Sequence, residues 1–150
     1  MGKNRWKQPA TRDVPAEQGK QPRYDVTDPQ IHSEQKLVWR FGIVDLGGPF
    51  GWGELGRFEL LDILASLQQY ESMTWNEIDQ KKSCHATRVK DIDKVAYDRL
   101  VHLGLDDEEK LYQIRVNSTG RVWGIRDRNI FKLIWWDPDH KVWPTSPPNT

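Results

Sequence analysis

The residues through which this chain could do chemistry are its arginines. Between positions 110 and 132 stand Lys110, Arg115, Arg121, Arg126, Arg128 and Lys132 against one acid, Asp127, so six cations minus one anion leave a local excess of five. A guanidinium grips a phosphate with two parallel N–H donors and stabilises charge that develops on a phosphorane. Strand alternation aims Arg115 and Arg121 at defined faces, and turns deploy Arg126 and Arg128. The same side chains also read as ordinary solvent-facing strand residues, paired with the acidic run Asp106, Asp107, Glu108 and Glu109.

His140 follows Asp137-Pro138-Asp139, directly after an apolar strand. A histidine near neutral pH can serve as acid or base, and a neighbouring carboxylate would tune it; it also fits a turn or cap. Cys84-His85 invites a nucleophile reading, but adjacency in sequence does not create the needed geometry and no oxyanion loop is recognisable. His85 instead suits the start of a short edge strand, HATRV. With four histidines, one cysteine and no spaced ligand pair, no metal site is expected, and no cofactor motif is present.

Positioning these residues falls to a small α+β domain. Residues 36–44, KLVWRFGIV, read as a strand with Leu37, Trp39, Phe41 and Ile43 on one side. The glycine-rich loop from Gly47 to Gly53 lacks the Lys-Ser/Thr ending of a phosphate-binding loop, and reads as a turn that tucks Phe50 and Trp52 onto the core. From Leu55 to Tyr70 the pattern is helical: Phe58, Leu61, Leu64 and Ala65 share one face with Leu60, Ile63 and Leu67 beside it, which predicts a well-buried core helix. Thr74 and Glu77 form a capping box for a short helix. Asp91 is the expected cap of a third helix ending near Leu103, with Gly104 as its stop. Residues 110–116, 121–126 and 129–136 each suit a strand. The turn residues Asn117 to Gly120 and Asp127 to Asn129 join them into a three-stranded antiparallel meander.

The chain has 150 residues, 37% hydrophobic and 29% charged, with zero formal net charge. That length fits one domain. Residues 1–34 carry four prolines and no apolar periodicity and read as a flexible arm; 35–143 form the domain, and 144–150 a frayed C-terminus. A lone Cys84 precludes an intramolecular disulfide, and no run approaches the ~18 apolar residues of a membrane span, so a cytoplasmic protein without membrane contact is expected. Neutral net charge argues against a strongly basic nucleic-acid-binding domain and leaves room for a local basic patch. Eight tryptophans imply aromatic core packing or a partner-binding surface.

Leu111-Tyr112-Gln113-Ile114-Arg115-Val116, then Arg121 to Ile125, then Ile130 to Trp136, with His140 beyond and the helix Lys94 to Leu103 before, resembles the RelE/ParE toxin superfamily over about residues 85–143. The resemblance implies an N-terminal strand, two to three helices and a three-stranded antiparallel meander. It also implies a toxin of a toxin–antitoxin system with a cognate antitoxin partner. RelE-like members are metal-independent endoribonucleases acting on mRNA at the ribosome, with the RNA 2′-hydroxyl as nucleophile. Carried over by position, Arg115, Arg121 and His140 would be catalytic. Lys132, Arg126, Arg128 and Trp143 would contact RNA, Trp143 by stacking, since it has no hydroxyl to transfer a proton. ParE-like members are not nucleases, so the alternative is a non-enzymatic inhibitor that binds a replication protein, gyrase or the sliding clamp. For the clamp, the segments Gln35 to Phe41 and Gln69 to Trp75 are the candidate contacts. An accessory protein without toxicity also fits the residues.

Overall fold

A computed structural model describes residues 32–144. Most of the arm expected over 1–34, and the C-terminal segment from 145 onward, lie outside the described residues. Five strands form one sheet: β1 (Val38–Arg40), β2 (His85–Arg88), β3 (Lys110–Arg115), β4 (Arg121–Asp127) and β5 (Ile130–Asp137). Their order is β1-β5-β4-β3-β2. β1 runs parallel to β5 and the other neighbours are antiparallel. The fold is therefore α+β around a five-stranded mixed sheet. The expected three-stranded sheet is corrected: β3, β4 and β5 lie inside a larger sheet, because β2 covers the outer edge of β3 and β1 covers that of β5.

Helices cover both faces. α1 (Arg57–Glu71) and α2 (Trp75–Asp79) lie on one face, where Ile63, Leu67, Trp75 and Ile78 pack with Tyr112, Ile114, Val122, Phe131, Leu133 and Trp136. α3 (Lys94–Leu103) lies on the other, where Ala96 and Leu100 join Phe50, Leu111, Trp123, Ile125, Ile134 and Trp135. Period-two alternation accounts for the sorting, since successive strand residues point to opposite faces. A bulge between Trp123 and Gly124 breaks it once: Trp123 pairs with Trp135 and Gly124 with Leu133, so both Ile134 and Trp135 reach the α3 side.

Local sequence explains most helix ends. The capping box at Thr74 is present, with Glu77 N donating to Thr74 Oγ1 at 3.2 Å and Thr74 N donating to Glu77 Oε1 at 3.0 Å. α3 stops at Gly104, whose φ of 73° is left-handed. Its cap is Asp93, not Asp91: Val95 N donates to Asp93 Oδ2 at 2.9 Å, while Asp91 sits in a 3-10 turn and pairs with Arg88.

Two further expectations are corrected. The strand predicted over 36–44 is three residues long. A turn at Gly42 and Ile43 ends it, leaving Phe41 exposed and sending Ile43 to the α3-side core. The helix predicted as well buried hides only Ile63 and Leu67; Phe58 is 77% and Leu61 54% exposed. Only one narrow side of α1 meets the sheet, so the wide apolar stripe outruns the surface available to cover it.

What ends β1 also joins the layers. Asp45 is 3% exposed. Its backbone N donates to the bulge carbonyl of Ile134 at 3.0 Å, and its own carbonyl accepts from Trp52 N at 3.0 Å. The carboxylate accepts from Arg99 Nη2 at 2.8 Å, Arg99 Nε at 2.9 Å and Trp135 Nε1 at 2.9 Å. Arg99 reaches it across Gly48, whose φ is 77° and where a Cβ would stand 2.3 Å from Arg99 Nε. Burial pushes the Asp45 carboxyl up, but the hydrogen bonds from Arg99 and Trp135 outweigh this and hold it below the usual carboxylate range.

Asp45→Ala should cost about 3 kcal/mol in urea unfolding, because it leaves Arg99 and Trp135 without their acceptor. A depressed carboxyl stabilises the fold above its unfolded pKa and loses that contribution as pH falls through the folded value. The variant's stability should accordingly fall less steeply than the wild type's in acid below about pH 4. A loss under about 1 kcal/mol would show that the pair is energetically idle.

Candidate functional site

The two arginines singled out by sequence meet on the α3 face of the sheet. Arg115 and Arg121 are directly opposed across β3 and β4, and Arg121 in turn opposes Asp137 of β5. The chain folds back at the tight turn 117–120, where Asn117 Oδ1 accepts from Thr119 N at 3.3 Å and Gly120 N at 2.7 Å. The guanidiniums sit side by side on one acceptor: Arg115 Nε and Arg121 Nη1 donate to the Asn117 carbonyl at 3.0 and 3.1 Å. Arg121 Nη1 also reaches the carbonyls of Ser118 and Gly120 at 3.4 and 3.2 Å.

Like charges directly opposite on a sheet repel. Nevertheless, neither guanidinium forms an ion pair with a carboxylate among the described residues. Arg121 is only 8% exposed, and its Nε is buried with no hydrogen-bond partner there. Burial, and then the neighbouring Arg115, push its pKa below the usual arginine value.

Asp137 organises the segment that follows. It is fully buried and accepts from Trp123 Nε1 at 3.1 Å, Lys141 N at 2.8 Å and Val142 N at 2.9 Å. These bonds curl residues 138–142 back over the sheet, with His140 in a left-handed conformation at φ 58°. The curl sets the Trp143 ring edge-to-face on His85 at 5.2 Å. His140 Nε2 is buried and unpartnered among the described residues. Burial first, then the charge of Arg121, push its pKa below 6.5, against a smaller upward pull from Asp137. His140 is thus biased towards the neutral imidazole.

Beside it, Gln113 Nε2 donates to Ser83 O at 3.3 Å and lies 3.0 Å from His85 Nε2, which sets the imidazole to accept there. Gln113 is 2% exposed and its Oε1 has no partner among the described residues. The orphaned buried side-chain atoms of the described residues, Gln113 Oε1, Arg121 Nε and His140 Nε2, therefore all belong to this one neighbourhood.

Arg115, Arg121, His140 and Trp143 are thus brought together, and the other named residues are not. Arg126 lies on the opposite face, 3.9 Å over the Trp75 ring and 3.0 Å from Asp79. Arg128 occupies the β4–β5 turn at φ 61° and pairs with Asp127 at 3.2 Å. Lys132 Nζ lies 3.7 Å from the same carboxylate, at the far end of the strands from Arg121. The acidic run 106–109 pairs with none of these arginines. Cys84 and His85 form no dyad, since Cys84 Sγ lies 3.7 Å from Tyr70 Oη in the α1-side core.

Sequence does not single out Gln113 or Asp137 as site residues, and it offers His85 only beside Cys84 or in an edge strand. Gln113 interrupts the apolar run of β3, and a lone amide inside a core strand is a legible signal. The roles of His85 and Asp137 depend on the β2–β3 register and the C-terminal curl, which composition does not display. Among the described residues no cluster of three or more His, Cys, Asp or Glu is placed to hold a metal ion.

Replacing an unpaired buried charge with an apolar side chain is often neutral or stabilising. Arg121→Met should therefore hold or raise the thermal midpoint, while a wild-type rise in midpoint on adding inorganic phosphate should disappear. A histidine with a depressed folded pKa costs stability as pH falls below its unfolded value near 6.5. That loss should shrink in His140→Gln, followed by unfolding between about pH 7 and 5. A destabilised Arg121→Met, or equal pH slopes with and without His140, would contradict this account.

No helix among the described residues is long and apolar enough to cross a membrane. No curated protein and no solved structure matches the chain. A family profile, Uncharacterised protein UU032, matches residues 59–150, which carry every residue of the site and leave out β1 and Asp45. Since this match spans more than half of the sequence, the chain belongs to the family described as Uncharacterised protein UU032.

Proposed function

We propose that this protein is a metal-independent endoribonuclease, and that it acts as a toxin on mRNA at the ribosome in the manner its RelE-like sequence features imply. The observation that carries the proposal is the Arg115–Arg121 pair, two adjacent guanidiniums without a carboxylate, one of them buried. Such a pair lowers its own repulsion by taking an anion, and a phosphodiester supplies one with matching geometry. Arg115 is exposed and spends only its Nε on Asn117, leaving its terminal nitrogens for a phosphate. His140, held neutral, takes the proton of the 2′-hydroxyl as that oxygen attacks the adjacent phosphorus. The 5′-oxygen leaves and takes a proton from water. The products are a 2′,3′-cyclic phosphate and a 5′-hydroxyl. Arg115 and Arg121 stabilise the charge on the phosphorane, and the half-buried Trp143 offers a ring to a flanking base. A cognate antitoxin would have to cover this face.

The alternative, an inhibitor that binds a replication protein, draws support from the exposed apolar residues of α1. The two segments considered for sliding-clamp binding do not favour that target. Leu37 is buried, Trp39 packs on Phe131 and donates to Leu67 O, and Trp75 is fully buried.

The test joins induced expression to purified cleavage. Expression should arrest protein synthesis first, with new mRNA 5′ ends inside codons. In ribosome-programmed mRNA, Arg121→Met and Arg115→Ala should each lose about 10²-fold in rate, and His140→Ala between about 10² and 10⁴. The acid limb of kcat/KM should lie below pH 6.5, following the depressed His140. Cleavage that survives in all three folded variants would remove the site. Arrest of DNA synthesis with intact mRNA would favour the inhibitor.

A further inference from the structure

The arginine neighbourhood borders a second feature at the edge of the sheet. β2 ends the strand order β1-β5-β4-β3-β2, so no strand among the described residues flanks its outer side. At this edge lies a cavity of about 380 Å³, lined by Asp79, His85, Ala86, Lys110, Tyr112 and Arg126. A hollow of this order accommodates one small ligand group. His85 belongs to both places. Its Nε2 lies 3.0 Å from Gln113 Nε2 beside the arginines, the Trp143 ring rests on it, and it lines the cavity. Ala86 and Tyr112 oppose each other across β2 and β3, and Tyr112 packs on the α1 side, so the cavity continues round the edge onto that face.

The cavity wall is electrically balanced, whereas its rim is not. Arg126 Nη1 lies 3.0 Å from the Asp79 carboxylate, which also accepts from the Tyr112 hydroxyl. These groups satisfy one another. Lys110 stands at the rim, and the loop that carries Lys81 and Lys82 runs between Asp79 and Cys84, both of which line the cavity. All three lysines are exposed, and none forms an ion pair among the described residues. The nearby acids Glu108 and Glu109 border a different cleft, with Arg88 and Lys90. Unpaired cations that follow a path suit a polyanion, and a hollow beside them suits the base that each phosphate brings with it. Ala86 is exposed and is the smallest side chain of the lining, so the hollow stays open there.

We propose that this cavity is a second nucleotide subsite: an RNA strand held by Arg115 and Arg121 passes Trp143 and His85, turns round β2 and places a nearby nucleotide in the cavity, with its phosphate on Lys110 and the lysines of the 81–82 loop. The proposal rests on the ribonuclease reading of the arginine pair. It restricts the substrate to a single strand, because a duplex is stiff over lengths far greater than one strand of a sheet and cannot make the turn.

Fluorescence anisotropy with 2′-O-methyl oligoribonucleotides, whose blocked 2′-oxygen prevents cleavage, tests it. A dimer spans the arginine pair alone, and a hexamer also reaches the cavity. The hexamer should bind the wild type about tenfold more tightly than the dimer. Ala86→Trp, which fills the cavity from an exposed position, and Lys110→Glu should each abolish that gain, with unchanged circular dichroism and with dimer affinity held within about twofold. The triple variant Lys81→Gln/Lys82→Gln/Lys110→Gln should lower the slope of log Kd against log salt for the hexamer by about 2, since each phosphate contact on a single strand contributes about 0.7. A hexamer that binds no better than the dimer overturns the subsite. So does a gain that persists in both folded single variants, and in either case dimer binding that still depends on Arg121 leaves the ribonuclease reading standing. Oligomers that bind Arg121→Met as tightly as the wild type overturn that reading and the subsite with it.

Discussion

The buried Asp45 carboxylate is the interaction on which the arrangement of layers depends. Its partners come from three parts of the chain: Arg99 from α3, Trp135 from β5, and through its own backbone the bulge carbonyl of Ile134 and the amide of Trp52. Pairing of β1 with β5 stops at Lys132, and Asp45 N donates to the Ile134 carbonyl beyond it. A carboxylate taken out of water needs several donors at once, and it gets them only if α3, the 45–52 loop and the middle of β5 are all in place. The polar contact therefore specifies how one helix and one loop sit on a sheet whose apolar faces alone would tolerate several placements. Gly48 is part of the same device, since any side chain there would strike the Arg99 guanidinium.

Four arginines of the described residues stand in two contrasting electrostatic situations. Arg99 and Arg126 each meet a carboxylate, Asp45 and Asp79, and Arg126 also lies on the Trp75 ring. Their charge is used up within the fold. Arg115 and Arg121 face each other with only backbone carbonyls for partners, beside an imidazole biased towards its neutral form. Such groups carry a stability cost that packing elsewhere must offset, and proteins concentrate such costs where ligands bind. The Asp137 curl adds to the impression of a built surface, because one buried carboxylate orders the residues that bring His140 and Trp143 over the sheet.

The two faces of the sheet divide the surface between these features. The arginine pair, His85 and His140 lie on the α3 side, whereas the exposed apolar ridge of α1 lies on the other. α1 also shows why a strong apolar pattern does not guarantee burial. The stripe is wide, but a helix meets a sheet along one side, and here only Ile63 and Leu67 are hidden.

Local signals were legible from sequence alone. The capping box at Thr74 and Glu77, the glycine stop at Gly104 and the turn chemistry around Asn117 and Gly120 all act through contacts within a few residues. The three strands β3, β4 and β5 were legible for the same reason, whereas the bulge that turns both Ile134 and Trp135 to the α3 side was not. What lay beyond reach were matters decided between distant segments. Pairing with β5 and the anchoring of Asp45 cut the first strand to Val38–Arg40. Cover by β2 brought His85 to Gln113. Strand register sent Arg126, Arg128 and Lys132 away from the arginine pair, because positions of equal charge in sequence can stand at opposite ends and faces of one sheet. Sequence determined which residues carry charge and which segments are strands and helices, since those depend on side-chain chemistry and local spacing. Only the tertiary structure decided which charges meet and which apolar faces are covered, because both depend on which elements become neighbours.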